Sequence, residues 1–433
     1  KKRASTLEVV DRHGPCAQTP VSLPSLAKIL ANDQLRVKSI QAQVVKPSDS
    51  INTNKELVGK SQNHPNKSKD KQQSELPTQS GAPLKSGNYI VTIGLGTPKR
   101  NLSLQFDTGS PLTWTQCRPC AGHCYKQKDP IFNPSTSTTY SNISCKSTQC
   151  SQLANITRAG CYLNVTCIYG LRYGDSSYTI GFFSRDKLTV TPTDVFRDFL
   201  FGCGQNNEGL FGQTAGLLGL SKGPISFLSQ TAKKYSQYFS YCLPSDISST
   251  GFLAFGKNNN NNNKTTKDGP PGVPPIFYFI EITAISVGGT QLRINETVFK
   301  TAGAIIDSGT VITRLPPAAY KATSKEFKRQ MKKLKYKSAP AVSILDTCFH
   351  ISGHTNITNI PTMSFIFKGN ATVDLYPAGI IYVINSSVVC LAFAGNSDPQ
   401  DFAIFGNTQQ RKLEVVYDVA EGRLGFSHNP HCL

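Results

Sequence analysis

Two short stretches carry the residues best suited to chemistry. Leu104-Gln105-Phe106-Asp107-Thr108-Gly109-Ser110 and Ala304-Ile305-Ile306-Asp307-Ser308-Gly309-Thr310 share one pattern. Each leads an apolar run into an Asp, then a hydroxyl residue, a Gly and a second hydroxyl residue. A turn would explain either stretch alone, because Asp, Ser, Thr and Gly all favour turns. Residue frequencies yield an Asp-[Ser/Thr]-Gly tripeptide roughly 0.2 times in a chain of this length. Two copies, each ending an apolar strand in its own half of the chain, point to a duplicated device.

A pair of carboxyls gives that device its chemistry. Two carboxyls within hydrogen-bonding distance cannot both ionise easily, so they share a proton. The ionised member can take a proton from a water held between them, and the protonated member can donate to a carbonyl oxygen under attack. Aspartic proteases are the standard example of this arrangement, and the two titrations belong to the pair. Gly109 and Gly309 let the two loops approach without a Cβ clash. Thr108 and Ser308 can hydrogen-bond across or within the loops, while Ser110 and Thr310 can orient the outer carboxylate oxygens. Asp107 and Asp307 are therefore the catalytic candidates, with Thr108, Gly109, Ser110, Ser308, Gly309 and Thr310 as their support.

The elements that must position this pair follow the same duplication. "AGLLGLSKG" around Gly219 and "FAIFGNTQQ" around Gly406 each place a glycine after an apolar run, as needed where one backbone passes close to another. Four segments emerge: a basic leader at 1–85, a β-rich half at 86–256, an Asn-rich low-complexity linker at 257–272 and a second β-rich half at 273–433. Within the leader, "SLPSLAKILANDQLRVKSIQAQVV" reads as helix-rich and "NHPNKSKDKQQSELPTQSG" as too polar to pack. The segment 321–337, "KATSKEFKRQMKKLKYK", reads as an amphipathic basic helix.

Bulk composition narrows the class. The 433 residues carry a formal net charge of +19, 38% hydrophobic and 17% charged residues, and 13 cysteines. No apolar run is long enough to span a membrane. The positive charge is compatible with nucleic acid or another polyanion, the basic residues Lys328, Arg329, Lys332 and Lys333 being the candidates, or with a solvated helix face. Cys117, Cys120, His123 and Cys124 in "CRPCAGHC" superficially resemble a zinc cluster, with disulfides as the alternative. Nine Asn-x-Ser/Thr sequons lie in the body, at Asn101, Asn142, Asn155, Asn164, Asn263, Asn295, Asn356, Asn370 and Asn385, with a tenth at Asn66. With so many cysteines they predict the secretory pathway, extracellular or apoplastic. No Gly-x-Ser-x-Gly elbow, phosphate loop or dinucleotide fingerprint occurs, so neither cofactor nor metal is expected.

The strings "SGNYIVTIGLGTP", "FDTGSPLTWTQCRPC", "YGDSSYTIGFFSRD", "GLLGLSKGPISFLSQ" and "AIIDSGTVITRLPPAAY" resemble the pepsin-type aspartic proteases. Within that family they resemble the plant nepenthesin-like enzymes, including chloroplast-nucleoid DNA-binding members, which leaves the chloroplast as an alternative compartment. The resemblance runs from about Ser86 to Leu433 and implies a mostly β, bilobal fold with the cleft between two related barrel-like lobes. It implies an endopeptidase acting on polypeptides, and we expect a monomer made as a zymogen, its Lys-rich leader lying in the acidic cleft until low pH protonates carboxylates and loosens it. Tyr173, followed by Gly174 and Asp175, falls where the family keeps its mobile flap, and Trp114 would meet the Tyr173 hydroxyl. Pro111 departs from the acidic residue common there. The resemblance also implies the pairs Cys117–Cys120, Cys124–Cys203, Cys145–Cys167, Cys150–Cys161, Cys242–Cys432 and Cys348–Cys390, leaving Cys16 over. Sequence alone leaves that connectivity open. A catalytically inactive inhibitor or binding module of the same fold, and a DNA-binding protein with a protease fold, are the alternatives.

Overall fold

Apolar alternation sets the strand that leads to the first acid. In Arg100–Asp107 the side chains of Leu102, Leu104 and Phe106 are buried together. This strand runs parallel to Gly216–Gly219, with Gly219 opposite Asp107. Gly216–Gly219 lies antiparallel to Trp114–Gln116, which in turn runs parallel to Asp194–Glu208. The second half repeats the plan. Ala304–Ile306 runs parallel to Ala403–Phe405, which lies antiparallel to Thr313–Leu315, and that strand runs parallel to Phe393–Gly395. Interior parallel strands are covered on both faces, which explains the unbroken apolar runs Ala304-Ile305-Ile306 and Ala403-Ile404-Phe405. The computed structural model describes residues 26–45, 74–76, 79–80, 89–173, 176–209, 211–244, 251–257, 264–267, 276–351, 359–427 and 432.

The two repeating glycines stand where backbones nearly touch. A Cβ on Gly219 would lie 2.6 Å from the Ser110 carbonyl oxygen, and one on Gly406 would lie 2.9 Å from the Ile312 carbonyl carbon. Each glycine thus lets a strand press against the loop that follows its own half's Asp. The loops are held by packed backbone, which fixes the carboxylates more firmly than side-chain contacts alone.

A six-stranded sheet joins the halves. Tyr238–Cys242 from the first half pairs antiparallel with Glu414–Asp418 from the second, and the outer strands are Ser74–Leu76 and Lys264–Lys267. The fold is mostly β and bilobal. Its largest core cluster draws on both halves, including Phe106, Phe239 and Tyr241 from one and Phe405 and Tyr417 from the other.

Two helices matter for the site and the surface. Leu26–Val45 is a single helix whose residues Leu30, Asp33, Val37, Ile40 and Gln41 are buried. That spacing is one helical face. The basic helix spans Pro317–Lys333, four residues earlier than the basic run suggests, because a proline suits the first turn. It also ends sooner: Lys335 takes a left-handed conformation and Lys337–Ala339 is a strand paired with Cys348–His350.

The cysteine pairing requires a correction. Cys242–Cys432 and Cys348–Cys390 pair as the resemblance implies, but the first half carries Cys117–Cys203, Cys120–Cys124, Cys145–Cys161 and Cys150–Cys167. The same eight cysteines are used with partners exchanged. Trp114–Gln116 lies beside Asp194–Glu208, and Cys117 N–H donates to the Gly204 carbonyl at 2.7 Å, so Cys117 adjoins Cys203. Cys161 and Cys167 stand opposite one another in a hairpin, and each bonds outward to the segment around the helix Thr148–Ala154. Cys16, most of the linker and the sequons at Asn66, Asn263 and Asn356 lie outside the described residues.

Candidate active site

Asp107 and Asp307 are both completely buried and close the ends of their strands. Their surroundings are nearly symmetric. Gly109 N–H donates to Asp107 Oδ1 at 2.9 Å and Ser110 Oγ donates to Oδ2 at 2.6 Å. Gly309 N–H donates to Asp307 Oδ1 at 3.1 Å and Thr310 Oγ1 donates to Oδ2 at 2.6 Å. The loops are cross-linked reciprocally: Thr108 N–H donates to Ser308 Oγ at 3.1 Å, and Ser308 N–H donates to Thr108 Oγ1 at 2.9 Å. The glycines are sterically required. A Cβ on Gly309 would lie 2.7 Å from Asp107 Oδ1, and one on Gly109 would lie 3.0 Å from Asp307 Oδ1.

Between the two carboxylates sits a residue that sequence reasoning missed. Arg36, on the helix Leu26–Val45, donates from Nη1 and Nη2 to Asp107 Oδ2 and Oδ1 at 3.1 and 2.8 Å, and from Nε and Nη2 to Asp307 Oδ2 and Oδ1, each at 3.1 Å. Two edges of one planar fork each grip a carboxylate, the strongest geometry available to a guanidinium. Within segment 1–85 the described cation that reaches the two acids is this arginine, and most of the segment's lysines lie outside the described residues. The available signal was positional. Asp33 and Arg36 lie on or beside the face set by Leu30, Val37 and Ile40, where buried charge demands a partner.

Electrostatics separates the pair. Burial pushes Asp107 up, but the Arg36 charge, the Ser110 hydroxyl and the Gly109 N–H outweigh it and leave Asp107 below the usual carboxylate range. Burial raises Asp307, Arg36 opposes that, and the neighbouring Asp107 charge adds to the rise, leaving Asp307 above its ordinary value. Burial opposes the charge on Arg36, yet the two carboxylates raise its pKa further. The two acids are thus pushed in opposite directions, Asp107 toward the anion and Asp307 toward the protonated form.

The rest of the helix is seated firmly. Gln41 Nε2 donates to the Phe402 carbonyl at 2.9 Å, and Phe402 N–H donates back to Gln41 Oε1 at 3.1 Å. Val37 and Ile40 pack with Phe277, Phe279, Phe402 and Ile404. Across the cleft, the Trp114 indole N–H donates to the Tyr173 hydroxyl at 2.8 Å, and both rings meet Phe211 edge-on. Tyr173 ends the strand Thr166–Arg172 and its N–H returns to the Ser177 carbonyl at 2.7 Å, forming a hairpin. Gly174 and Asp175 lie outside the described residues. Pro111 lines the same cleft as Tyr173 and Arg36. Among the described residues no group of His, Cys, Asp and Glu could hold a metal ion, and Cys117, Cys120 and Cys124 are all disulfide-bonded.

Comparison with known proteins identifies the family. Family models described as xylanase inhibitor N-terminal and xylanase inhibitor C-terminal match residues 89–257 and 277–428. An aspartyl protease family protein of Arabidopsis thaliana is 50% identical, covering 98% of this chain and 87% of the relative. Nepenthesin-2 of Nepenthes gracilis, an aspartic proteinase, is 35% identical, covering 81% of this chain and 79% of its own. The crystal structure of soybean basic 7S globulin aligns with a TM-score of 0.66 at 22% identity, covering 82% of this chain and 96% of that one, a likeness of fold alone. With two models spanning most of its length and relatives this similar along it, the chain belongs to the pepsin-like aspartic protease family, in the branch that includes the nepenthesins.

Proposed function

We propose that this chain is an aspartic endopeptidase precursor, in which Asp107 and Asp307 hydrolyse peptide bonds through an activated water once the leader has left. The observation that carries this reading is Arg36 seated in two bidentate grips between the carboxylates. A site built for a water and a carbonyl oxygen is occupied there by a cation that neutralises the pair. In the leader-free form the ionised acid takes the water's proton, and the protonated acid donates to the carbonyl oxygen as the tetrahedral intermediate forms. Thr108, Ser110, Ser308 and Thr310 hold the carboxyls in plane. The hairpin carrying Tyr173 closes over the peptide, braced by Trp114. Departure of the helix uncovers Phe277, Phe279 and Phe402, an apolar wall suited to side chains beside the scissile bond.

Six disulfides and exposed sequon asparagines at Asn101, Asn142, Asn155, Asn164, Asn295, Asn370 and Asn385 support an oxidising, secretory setting over the chloroplast. An inhibitor or binding module of the same fold has no need of two intact, hydrogen-bonded acids.

The test is direct. Acidified full-length protein should cleave an unfolded protein substrate in a pepstatin-sensitive manner. Asp107→Asn should keep the circular dichroism of the wild type and lose roughly a thousandfold or more in rate. An Asn variant that retained the wild-type rate would remove the dyad from the mechanism.

A further inference from the structure

One helical turn before Arg36, the leader makes a second charged contact that the hydrolytic machinery does not use. Asp33 Oδ1 accepts from Val311 N–H at 2.5 Å, and its Oδ2 accepts from Ile312 N–H at 3.1 Å and from Arg314 Nη2 at 3.0 Å. Three donors converge on one carboxylate. The side chains of Asp33 and Arg314 are 0% and 1% exposed, so this pair lies wholly out of water.

Arg314 is placed by rigid elements. It stands in the strand Thr313–Leu315, with Ile404 opposite on one side and Ala394 on the other. Its Nη1 donates to the Ile312 carbonyl at 2.7 Å, its Nη2 also reaches Gln34 Oε1 at 3.2 Å, and its Nε is buried with no partner. Burial lowers its pKa, and Asp33 is the carboxylate that opposes the fall. Both Asp33 and Gln34 belong to the leader helix. When that helix departs, the guanidinium keeps only the Ile312 carbonyl among these acceptors, while Val311 N–H, Ile312 N–H and Nη2 turn toward an emptied cleft. A buried cation without a counter-charge is costly, and a fixed strand gives it little freedom to reach water.

We propose that Arg314, with the backbone N–H groups of Val311 and Ile312, forms a substrate subsite for an acidic side chain, which Asp33 fills in the precursor. The idea rests on the protease reading above and adds a specificity to it. Val311 lines the same cleft as Arg36, and follows Asp307 by four residues. Three helical residues rise about 4.5 Å and an extended peptide about 3.3 Å per residue, so the acidic side chain belongs about one to two residues from the bond cut. Asp33 therefore imitates a substrate side chain, as Arg36 displaces the reacting groups. A carboxylate fits the three donors, whereas an amide in its place presents an N–H₂ group to at least one of them.

The test uses acid-activated full-length protein, with loss of the leader verified by N-terminal sequencing. Peptides identical except for Glu or Gln are compared at each position flanking the scissile bond, at about pH 5 where Glu is mostly ionised. At one position the Glu peptide should have a kcat/KM about tenfold or more above its Gln twin. Arg314→Gln should bring that ratio close to one, and Arg314→Lys should retain part of the preference. Asp33→Asn, which leaves Arg314 in place, should keep the full ratio. A wild-type ratio near one at every position, or a preference that survives Arg314→Gln, overturns the subsite. The wild-type ratio decides even if the Arg314 variants fail to fold. Turnover without discrimination overturns the subsite alone, whereas no turnover of any peptide overturns the protease reading and the subsite with it.

Discussion

Arg36 presents a flat fan of donors to two carboxylates that already have hydroxyl and backbone partners of their own. Its charge makes Asp107 more acidic than it would be in an open cleft, so seating the helix releases protons. Linkage then fixes the sign. A depressed carboxylate favours the closed form above the ordinary Asp range, near 3.9, and that contribution is lost as pH falls through the lowered value. Asp307 is raised by burial and by Asp107, and the effect of Arg36 on it has the same sign as on Asp107. On the proposed precursor reading, acid should therefore loosen the helix carrying Arg36. Arg36→Gln removes the cationic grip, so activity should appear at a pH at least about one unit higher than in wild type. Scoring residual leader by N-terminal sequencing across a pH series checks this, and identical midpoints for the two proteins would refute it. Gly309 belongs to the same argument: a Cβ there would fall 2.2 Å from Arg36 Nη2 and 2.7 Å from Asp107 Oδ1, and would disturb both the seat of the guanidinium and the approach of the two acids.

Elements show which features one sequence can disclose. The duplicated Asp-hydroxyl-Gly-hydroxyl strings were legible because strand, turn and close approach are local demands, and Gly219 and Gly406 sit at backbone contacts for the same local reason. The partners of Cys145 and Cys150 were not, since two neighbouring sites in one loop-rich region satisfy either connectivity until the hairpin carrying Cys161 and Cys167 is folded. Arg36 and Asp33 escaped because their partners lie far along the chain, across the cleft. The basic helix was legible as an element but not in its extent. Lys325, Lys328 and Lys332 from the helix, with Lys335 and Lys337 beyond it, surround one shallow groove. Arg329 is taken up by Glu326, at 2.8 Å from its Nε. If this face binds a nucleic acid duplex, neutralising Lys328, Arg329, Lys332 and Lys333 together should flatten the slope of log affinity against log salt by roughly 3, at about 0.9 per free cation. A slope unchanged by those four substitutions would leave the helix a solvated face.

Taken whole, the molecule is two copies of one strand plan sharing a third sheet, and that sharing decides how it must unfold. Tyr238–Cys242 contributes five consecutive buried residues to the joint sheet, and its partner Glu414–Asp418 comes from the other half. Phe239 stacks on Tyr417 at 4.3 Å across that junction. Either half alone would expose an aromatic strand edge, the kind of surface that aggregates rather than stands in water. The Cys242–Cys432 bond adds a covalent tie spanning 190 residues across the same sheet. Loss of one half's core should therefore carry the other with it. Trp114, the only tryptophan, reports solely on the first half, while far-ultraviolet circular dichroism reports on both. Their denaturation midpoints at neutral pH should coincide in wild type. Replacing Cys242 and Cys432 together by Ser should lower stability by about 2–5 kcal/mol and move both midpoints by the same amount. Midpoints that separated, in either protein, would mean that the shared sheet yields before the lobes do and that the cleft is assembled from independently stable parts.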